Sequence, residues 1–232
     1  MASRYEQVGV VIVAGGSGSR MKSTTPKQFL LLGGVPILAR TVNRFAEALP
    51  GAQLVVVLPA DHIAFWHDCT LHFAVADHEI TCGGATRYDS VRQGLAILSP
   101  STKIIAVHDG VRPLISVEAI RRIVEQAQTQ GSAIPVVSAV DSYRLYHPDG
   151  SSAPIDRTAL RIVQTPQVFC ADTLRTAYAG DYCATYTDDA TVVESLGQSV
   201  YLVEGERCNL KITTPEDLTI AEAVLREQKS KP

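Results

Sequence analysis

The chain has 232 residues, of which 46% are apolar and 19% charged, with a formal net charge of −3. That length suffices for one large α/β domain with a sizeable core. The slight negative charge excludes a general attraction to nucleic acid or anionic membrane, so any site for an anion must be built from local positive charge.

The first apolar run, Val8–Ala14, reads as a strand and ends in Gly15-Gly16-Ser17-Gly18-Ser19-Arg20-Met21, with Pro26-Lys27-Gln28 close behind. Pro36–Ala46 follows as a helix candidate, and Leu54–Leu58 as a second β-branched strand. A further strand leads into Gly83-Gly84, and Thr86–Leu98 is the next helix, with Tyr88, Val91, Leu95 and Leu98 on one face. Ile104–His108 and Ala133–Val137 complete the set of short apolar runs expected in a largely parallel sheet buried on both faces. Between them Ser116 caps a helix over Val117–Gln130, with a buried stripe of Ile120, Ile123, Val124 and Ala127 and a stop at Gly131.

From Asp141 to about Gln164 the rhythm changes. Ser142–Tyr146 reads as a strand, His147-Pro148-Asp149-Gly150 as a turn, and Ile155–Asp156 and Leu160–Val163 as returning strands. Such a hairpin-like excursion is poorly stabilised alone, and a second subunit is the economical thing for it to pack on. Near the C-terminus, Lys211 is expected on a short strand leading to the cap Thr214. Pro215-Glu216-Asp217 then opens a last helix running to about Gln228.

No apolar run approaches the ~20 residues of a membrane span. The stretch Met1–Glu6 reaches the first strand too soon for a signal peptide, so a cytoplasmic protein is expected. Cys69, Cys82, Cys170, Cys183 and Cys208 are odd in number and widely spaced, and they are expected to be buried free thiols. The histidines of the 62–78 stretch show no metal-ligand spacing and read as surface or hydrogen-bonded side chains.

The glycine loop carries the chemistry. Glycines let backbone N–H groups close on an anion. Arg20 can fork onto phosphate oxygens, and Lys27 can set a compact charge on one. Gly16-Ser17-Gly18 lacks the third glycine of a dinucleotide fingerprint, and Met21 stands where a P-loop needs glycine. The loop therefore predicts a phosphate-rich substrate, with a nucleotide first, by neither of those two routes. The segment His108-Asp109-Gly110-Val111-Arg112-Pro113 ends another strand on the same sheet edge. There Asp109 offers a hard oxygen ligand suited to Mg²⁺, and Arg112 a grip for a second anion. Gly83-Gly84-Ala85 offers backbone amides to a base edge or an anion, or is plain strand-to-helix architecture.

Together these residues resemble a known family. The A-G-G-x-G-x-R-M…P-K-Q loop, H-D-x-x-R-P, Thr165-Pro166-Gln167, Thr187-Asp188-Asp189-Ala190 and Asn209-Leu210-Lys211-Ile212-Thr213-Thr214-Pro215-Glu216-Asp217 follow in the order seen in 2-C-methyl-D-erythritol 4-phosphate cytidylyltransferases. The resemblance implies a Rossmann-like α/β fold of the nucleotide-diphospho-sugar transferase type. Its mostly parallel twisted sheet would be flanked by helices, in one domain carrying an inserted β-arm over residues 139–165 that makes a homodimer. It implies transfer of CMP from CTP to methylerythritol phosphate, with Mg²⁺ on Asp109.

By the same resemblance, Ala14, Gly15, Gly16 and Gly18 wrap the triphosphate. Arg20 grips the departing pyrophosphate, and Lys27 and Lys211 meet the α-phosphate. Gly84, Ala85 and Ser90 match the positions that recognise cytosine and its ribose. Arg112, Ser142, Arg157, Thr165 and Thr187 surround the acceptor, with Arg157 reaching a second subunit. Gly110-Val111, Ser142 and Ala85 depart from commoner residues of the family, and at Ala85 an acidic contact to the nucleotide is lost. A ribitol 5-phosphate cytidylyltransferase would share the whole CTP half. A molybdenum-cofactor guanylyltransferase shares the opening loop but lacks the H-D-x-x-R-P and N-L-K-I-T features. A silent nucleotide-binding regulator need not keep Lys27, Asp109 and Lys211 together.

Overall fold

The computed structural model describes residues 4–16, 21 and 25–230, without the side chains of 229 and 230. Strand β1 (Val8–Val13) leads towards a 3-10 turn at Lys27–Phe29 and a small ladder of β2 (Leu31–Leu32) and β3 (Val35–Pro36). Then come α1 (Ile37–Ala48), β4 (Gln53–Leu58), α2 (Ala60–His72), β5 (Glu79–Cys82), α3 (Arg87–Ile97), β6 (Ile104–Asp109), α4 (Val117–Gln130) and β7 (Ser132–Ser138). The hairpin of β8 (Tyr143–Tyr146) and β9 (Ser152–Ile155) follows, then a 3-10 turn at Arg157–Ala159 and β10 (Arg161–Val163). The chain ends through β11 (Gln167–Cys170), α5 (Ala171–Tyr178), α6 (Asp189–Glu194), β12 (Leu202–Glu204) and α7 (Pro215–Ser230).

The main sheet runs β10-β7-β11-β6-β1-β4-β5, with β12 beside β7. Strand β1 is parallel to both β4 and β6, and β5 extends the parallel half. The other half is mixed. Strand β11 runs against β6 and β7, and β10 also runs against β7. Val136 faces Val163 on one side and Glu204 on the other, so β12 forms the outer edge. Among the described residues the hairpin β8–β9 pairs only with itself and stands off the sheet.

Alternation along the strands feeds two apolar layers. Val10, Ile12, Val56 and Ala106 pack on Phe45 of α1 and on Ile120 and Val124 of α4. Val11, Val55, Val57 and Val107 pack on Tyr88, Val91 and Leu95 of α3 and on Leu174 of α5. Helix α3 lies unusually close to the sheet. A Cβ on Gly94 would stand 2.5 Å from Val11 Cγ1 and 2.9 Å from Val57 Cγ2. Glycine is what permits this approach, and it brings the start of α3 up to the strand ends. Helix α7 covers a smaller cluster of Leu32, Ile37, Leu114 and Ile212. Among the described residues no helix is long and apolar enough to cross a membrane.

The structure corrects two expectations. Lys211 is not on a strand: the chain from 209 to 213 is extended without a ladder, and Ile212 N–H donating to the Val111 carbonyl at 3.0 Å is what ties it to the loop after β6. Of the cysteines, all free, only Cys69 is buried, whereas Cys82 and Cys183 are exposed. Those two sit at a strand end and in the loop between α5 and α6, where no second layer covers them.

A buried relay joins β6 to the turn before β11. The Asp109 N–H donates to Thr165 Oγ1 at 3.1 Å, and Thr165 Oγ1 lies 3.0 Å from His108 Nδ1. The other ring nitrogen, His108 Nε2, is 3.2 Å from the Arg112 carbonyl, which can only accept. The network therefore fixes a neutral imidazole with its proton on Nε2 and the Thr165 hydroxyl donating to Nδ1. Burial pushes the His108 pKa down to about 3, against an ordinary 6.5. Because the unfolded chain takes up this proton first, stability is full above pH 6.5 and falls as pH drops towards 3, by about 1.4 kcal/mol per pH unit. Urea unfolding between about pH 6.5 and 4 should show this slope in the parent protein and a shallower one in His108→Gln. Equal slopes would remove His108 from the account.

Candidate active site

The cleft opens at the carboxyl ends of β1, β5 and β6, where an open parallel sheet offers its ligand crevice. Three backbone bonds set its floor. Ala14 N–H donates to the Val57 carbonyl, Gly83 N–H to Leu58, and Gly110 N–H to Val13, at 2.8–2.9 Å. The resulting cavity of about 340 Å³ is lined by Ala14, Gly15, Gly16, Lys27, Gln28, Gly83, Gly84, Ala85, Thr86, Arg87, Ser90, Asp109 and Lys211, among others. Nine residues singled out in the sequence thus face one cavity: Ala14, Gly15, Gly16, Lys27, Gly84, Ala85, Ser90, Asp109 and Lys211. Gly18 and Arg20 lie outside the described residues.

Each wall has a local cause. The 3-10 turn after Pro26 turns Lys27 inwards, where it is buried at 7% exposure and its amine lies over Gly16. The neighbouring Gln28 is wholly buried. Its Nε2 donates to the Ala14 carbonyl at 2.9 Å and bonds His62 Nδ1 at 3.0 Å, which anchors the start of the glycine loop. Opposite, Thr86 and Asp89 form a capping box at the start of α3. Ser90 Oγ accepts from Gly84 N–H at 3.2 Å and donates to the Thr86 carbonyl at 2.9 Å. The Ser90 hydroxyl therefore shapes the Gly84 turn, and a Cβ on Gly84 would collide with Asp89.

Asp109 is the electrostatic centre. Its Oδ2 accepts from Arg112 Nε at 3.1 Å and pairs with Lys211 Nζ at 3.1 Å, while Oδ1 lies 3.9 Å from Arg87 Nε. Burial pushes this carboxyl up, but Lys211, Arg87 and Arg112 outweigh it and hold it well below the usual carboxylate range. It is ionised at any working pH. With Lys27, the cleft carries four cations, of which Arg87 is also paired with Asp189, beside Asp109 and a rim of backbone amides, and the positive surplus suits a polyanion.

A divalent cation fits this donor set. One hard oxygen, Oδ1, has no hydrogen-bond partner among the described residues, since Arg87 Nε is too distant to donate. Among the described residues no group of three or more His, Cys, Asp or Glu converges. Asp109 would therefore hold a cation jointly with substrate phosphates, as Mg²⁺ is commonly held.

The acceptor-side residues divide. Arg112 lies beside the cleft, its Nη1 donating to the Asn209 carbonyl at 2.9 Å. Thr165 sits beneath Asp109 with its hydroxyl already engaged, so its contribution runs through Asp109 and His108. Ser142 and Arg157 are exposed on the hairpin side, where the Arg157 guanidinium donates to the Val140 carbonyl, and neither lines the cleft. Thr187 is exposed at the start of α6, its N–H donating to Thr191 Oγ1.

Sequence reasoning missed Arg87, Gln28 and Asn209. Arg87, the first residue of α3, had a legible signal as a cation just after Gly-Gly at a strand end. Asn209 is buried and donates to the Thr165 carbonyl at 2.8 Å. It ties the segment bearing Lys211 to the turn beneath Asp109, and nothing local in the sequence announces that.

The profile of the family described as 2-C-methyl-D-erythritol 4-phosphate cytidylyltransferase matches residues 8–227. A protein of that name from Bacteroides thetaiotaomicron is 44% identical over 217 residues, covering 93% of this chain and 98% of its own length. One from Phocaeicola vulgatus is 45% identical over 218 residues with the same coverage. Among solved structures, the enzyme of that name from Thermus thermophilus superposes with a TM-score of 0.75 at 34% identity, covering 94% of this chain and 98% of its own. A 4-diphosphocytidyl-2C-methyl-D-erythritol synthase from Anaerococcus prevotii gives 0.79 at 26% identity, covering 94% and 96%. The chain belongs to the 2-C-methyl-D-erythritol 4-phosphate cytidylyltransferase family.

Proposed function

We propose that the chain carries out its family's reaction with the cleft residues in defined roles. CMP passes from CTP to the phosphate of 2-C-methyl-D-erythritol 4-phosphate, and pyrophosphate leaves. The observation that carries the residue assignment is the convergence of Lys27, Lys211 and the Gly15–Gly16 backbone on one cavity beside Asp109.

The chemistry asks little of the protein in covalent terms. The attacking phosphate oxygen is already ionised, so no protein nucleophile or strong base is needed. The barrier is repulsion between two anions together with the charge that grows at the α-phosphate, and fixed cations and amides offset both. The Gly15 and Gly16 amides take phosphate oxygens, with Gly18 continuing the loop, whereas the Ala14 N–H is held by the Val57 carbonyl, so Ala14 sets where the loop begins rather than wrapping phosphate. Lys27 and Lys211 stabilise the α-phosphate in the in-line transition state, and Arg20 grips the departing pyrophosphate. Bound by Asp109 and the triphosphate, Mg²⁺ would neutralise phosphate charge and fix the triphosphate's shape. The Gly84–Ala85 backbone, shaped by Ser90, meets the cytosine side. Arg112 and Thr187 serve the acceptor, Thr165 acts on it through Asp109 and His108, and Ser142 would join them only from the hairpin side, outside the cleft lining.

Removing a preorganised charge of this kind costs on the order of 3–4 kcal/mol of barrier. Lys27→Ala should therefore lower kcat by about a hundredfold to a thousandfold in a CTP-dependent pyrophosphate-release assay, with the fold preserved by circular dichroism. Near-parent turnover by a folded Lys27→Ala protein would refute the role.

The β-arm over residues 139–165 completes the assembly as a homodimer contact. Its hairpin exposes Leu145 and Tyr146, and Val140, Ile162 and Val163 are exposed beside it, an apolar strip that a lone two-stranded hairpin does not cover. A second copy laid on this strip would bring its Arg157 to the acceptor end of the cleft. Leu145→Asp combined with Tyr146→Asp should shift sedimentation from dimer to monomer and raise KM for methylerythritol phosphate more than for CTP. Unchanged sedimentation would reject the arm as the interface.

A further inference from the structure

The Thr187-Asp188-Asp189-Ala190 motif does more than open a helix. Asp188 caps α6 in a capping box with Thr191 and accepts from Gln167 Nε2 at 2.8 Å, while Gln167 Oε1 takes the Ala190 N–H at 2.8 Å. This clamp fixes the first turn of α6, and Asp189 on that turn is wholly buried. Its carboxylate takes both terminal nitrogens of Arg87, Nη1 to Oδ1 at 2.8 Å and Nη2 to Oδ2 at 2.7 Å. Tyr178 Oη donates to the same Oδ1 at 2.6 Å, and its ring stacks on Tyr88 with centroids 4.7 Å apart. The orientation of Asp189 is thus set from three sides.

The consequence falls on Asp109. The Arg87 guanidinium lies between two carboxylates, and Asp189 has taken its two-pronged face. What remains for Asp109 is Nε, 3.9 Å from Oδ1, beyond hydrogen-bond reach. Lys211 and Arg112 both act on the other oxygen, Oδ2. An arginine that lost Asp189 would turn its fork to the nearest remaining carboxylate, which is Asp109, and cover the one oxygen left for a cation.

We propose that Asp189, held by Tyr178, is a positioning residue that keeps the Arg87 guanidinium off Asp109 Oδ1 and so leaves that oxygen open to the divalent cation that accompanies the nucleotide. The proposal rests on the reading of Asp109 as the residue that holds the cation. Asp189 is wholly buried and outside the cavity lining, so its effect passes through Arg87. A merely structural Asp189 would behave differently from a restraint on a competitor. Deleting the competitor as well should then restore the cation site.

The test uses Mn²⁺ as a paramagnetic stand-in, titrated into the full-length protein with CTP and no acceptor, with free Mn²⁺ read by electron paramagnetic resonance so that no turnover is involved. Asp189→Asn should weaken Mn²⁺ binding about tenfold, roughly what one competing charge-assisted pair is worth. Asp189→Asn with Arg87→Met, which removes both buried charges, should return it to within about twofold of the parent. Tyr178→Phe keeps the ion pair but loosens Asp189, and should give a smaller weakening in the same direction. It decides the question if Asp189→Asn does not fold. Parent-like Mn²⁺ binding in folded Asp189→Asn, or in Tyr178→Phe where that variant must stand in, would overturn the proposal. So would a double variant as weak as the single. Asp109→Asn separates the two readings. If it binds Mn²⁺ as the parent does, the assignment of the cation to Asp109 fails and the restraint falls with it. If it loses Mn²⁺ while Asp189→Asn does not, the restraint alone is wrong.

Discussion

A buried carboxylate among cations organises this protein. Asp109 ends the central strand β6 with Arg112 and Lys211 on one oxygen and Arg87 beyond the other. Burying an unpaired carboxylate would be prohibitive, and burying these arginines without a carboxylate equally so. The site is stable because the charges are paired, and useful because they are over-paired in the positive sense. In the proposed roles, a bound triphosphate would redistribute contacts already made. Lys211, 42% exposed, is the member free to exchange a carboxylate for a phosphate, whereas Arg112 is pinned by the Asn209 carbonyl.

The scaffold explains why these groups meet. Strands β1 and β6 are adjacent and parallel, with Val13 opposite Asp109, so the glycine loop and the aspartate leave the sheet side by side. Gly94 draws α3 against β1 and β4, and the capping box at its start turns Thr86, Arg87 and Ser90 towards the same edge. The returning segment at 209–212 is strapped to the Thr165 turn by Asn209 and to the β6 loop by Ile212. Elements far apart in the chain therefore share one edge through a few backbone bonds, and the tolerance on the cation positions is set by those bonds.

Much of this was legible in the residues. Runs of Val, Ile and Leu marked β1, β4, β6 and β7, because strands buried on both faces cannot afford polar alternation. Ser116 and Gly131 bounded α4, and the left-handed Gly131, at φ 84°, ends it as expected. Strand β11 was not read. It begins with the buried Gln167, which reads as loop until its side chain is seen clamping the first turn of α6. Strand β12 was not read either, because as the sheet's outer edge it buries only Val203. The alternation of Leu210, Lys211 and Ile212 imitates a strand, but among the described residues the segment joins no ladder. Arg87 and Asp189 are 102 residues apart in sequence, and a pair at that separation leaves no local pattern for periodicity to find.

The proposed roles require one cavity to hold the triphosphate with its reacting phosphorus between the two lysines. A crystal structure with a non-hydrolysable CTP analogue and Mg²⁺ tests this requirement most directly. It should show Lys27 Nζ and Lys211 Nζ both within hydrogen-bond reach of α-phosphate oxygens, the Gly15 and Gly16 amides on the phosphates, and the cation on Asp109. A triphosphate seated outside this cleft, or an α-phosphate beyond the reach of both lysines with Lys211 still paired to Asp109, would contradict it.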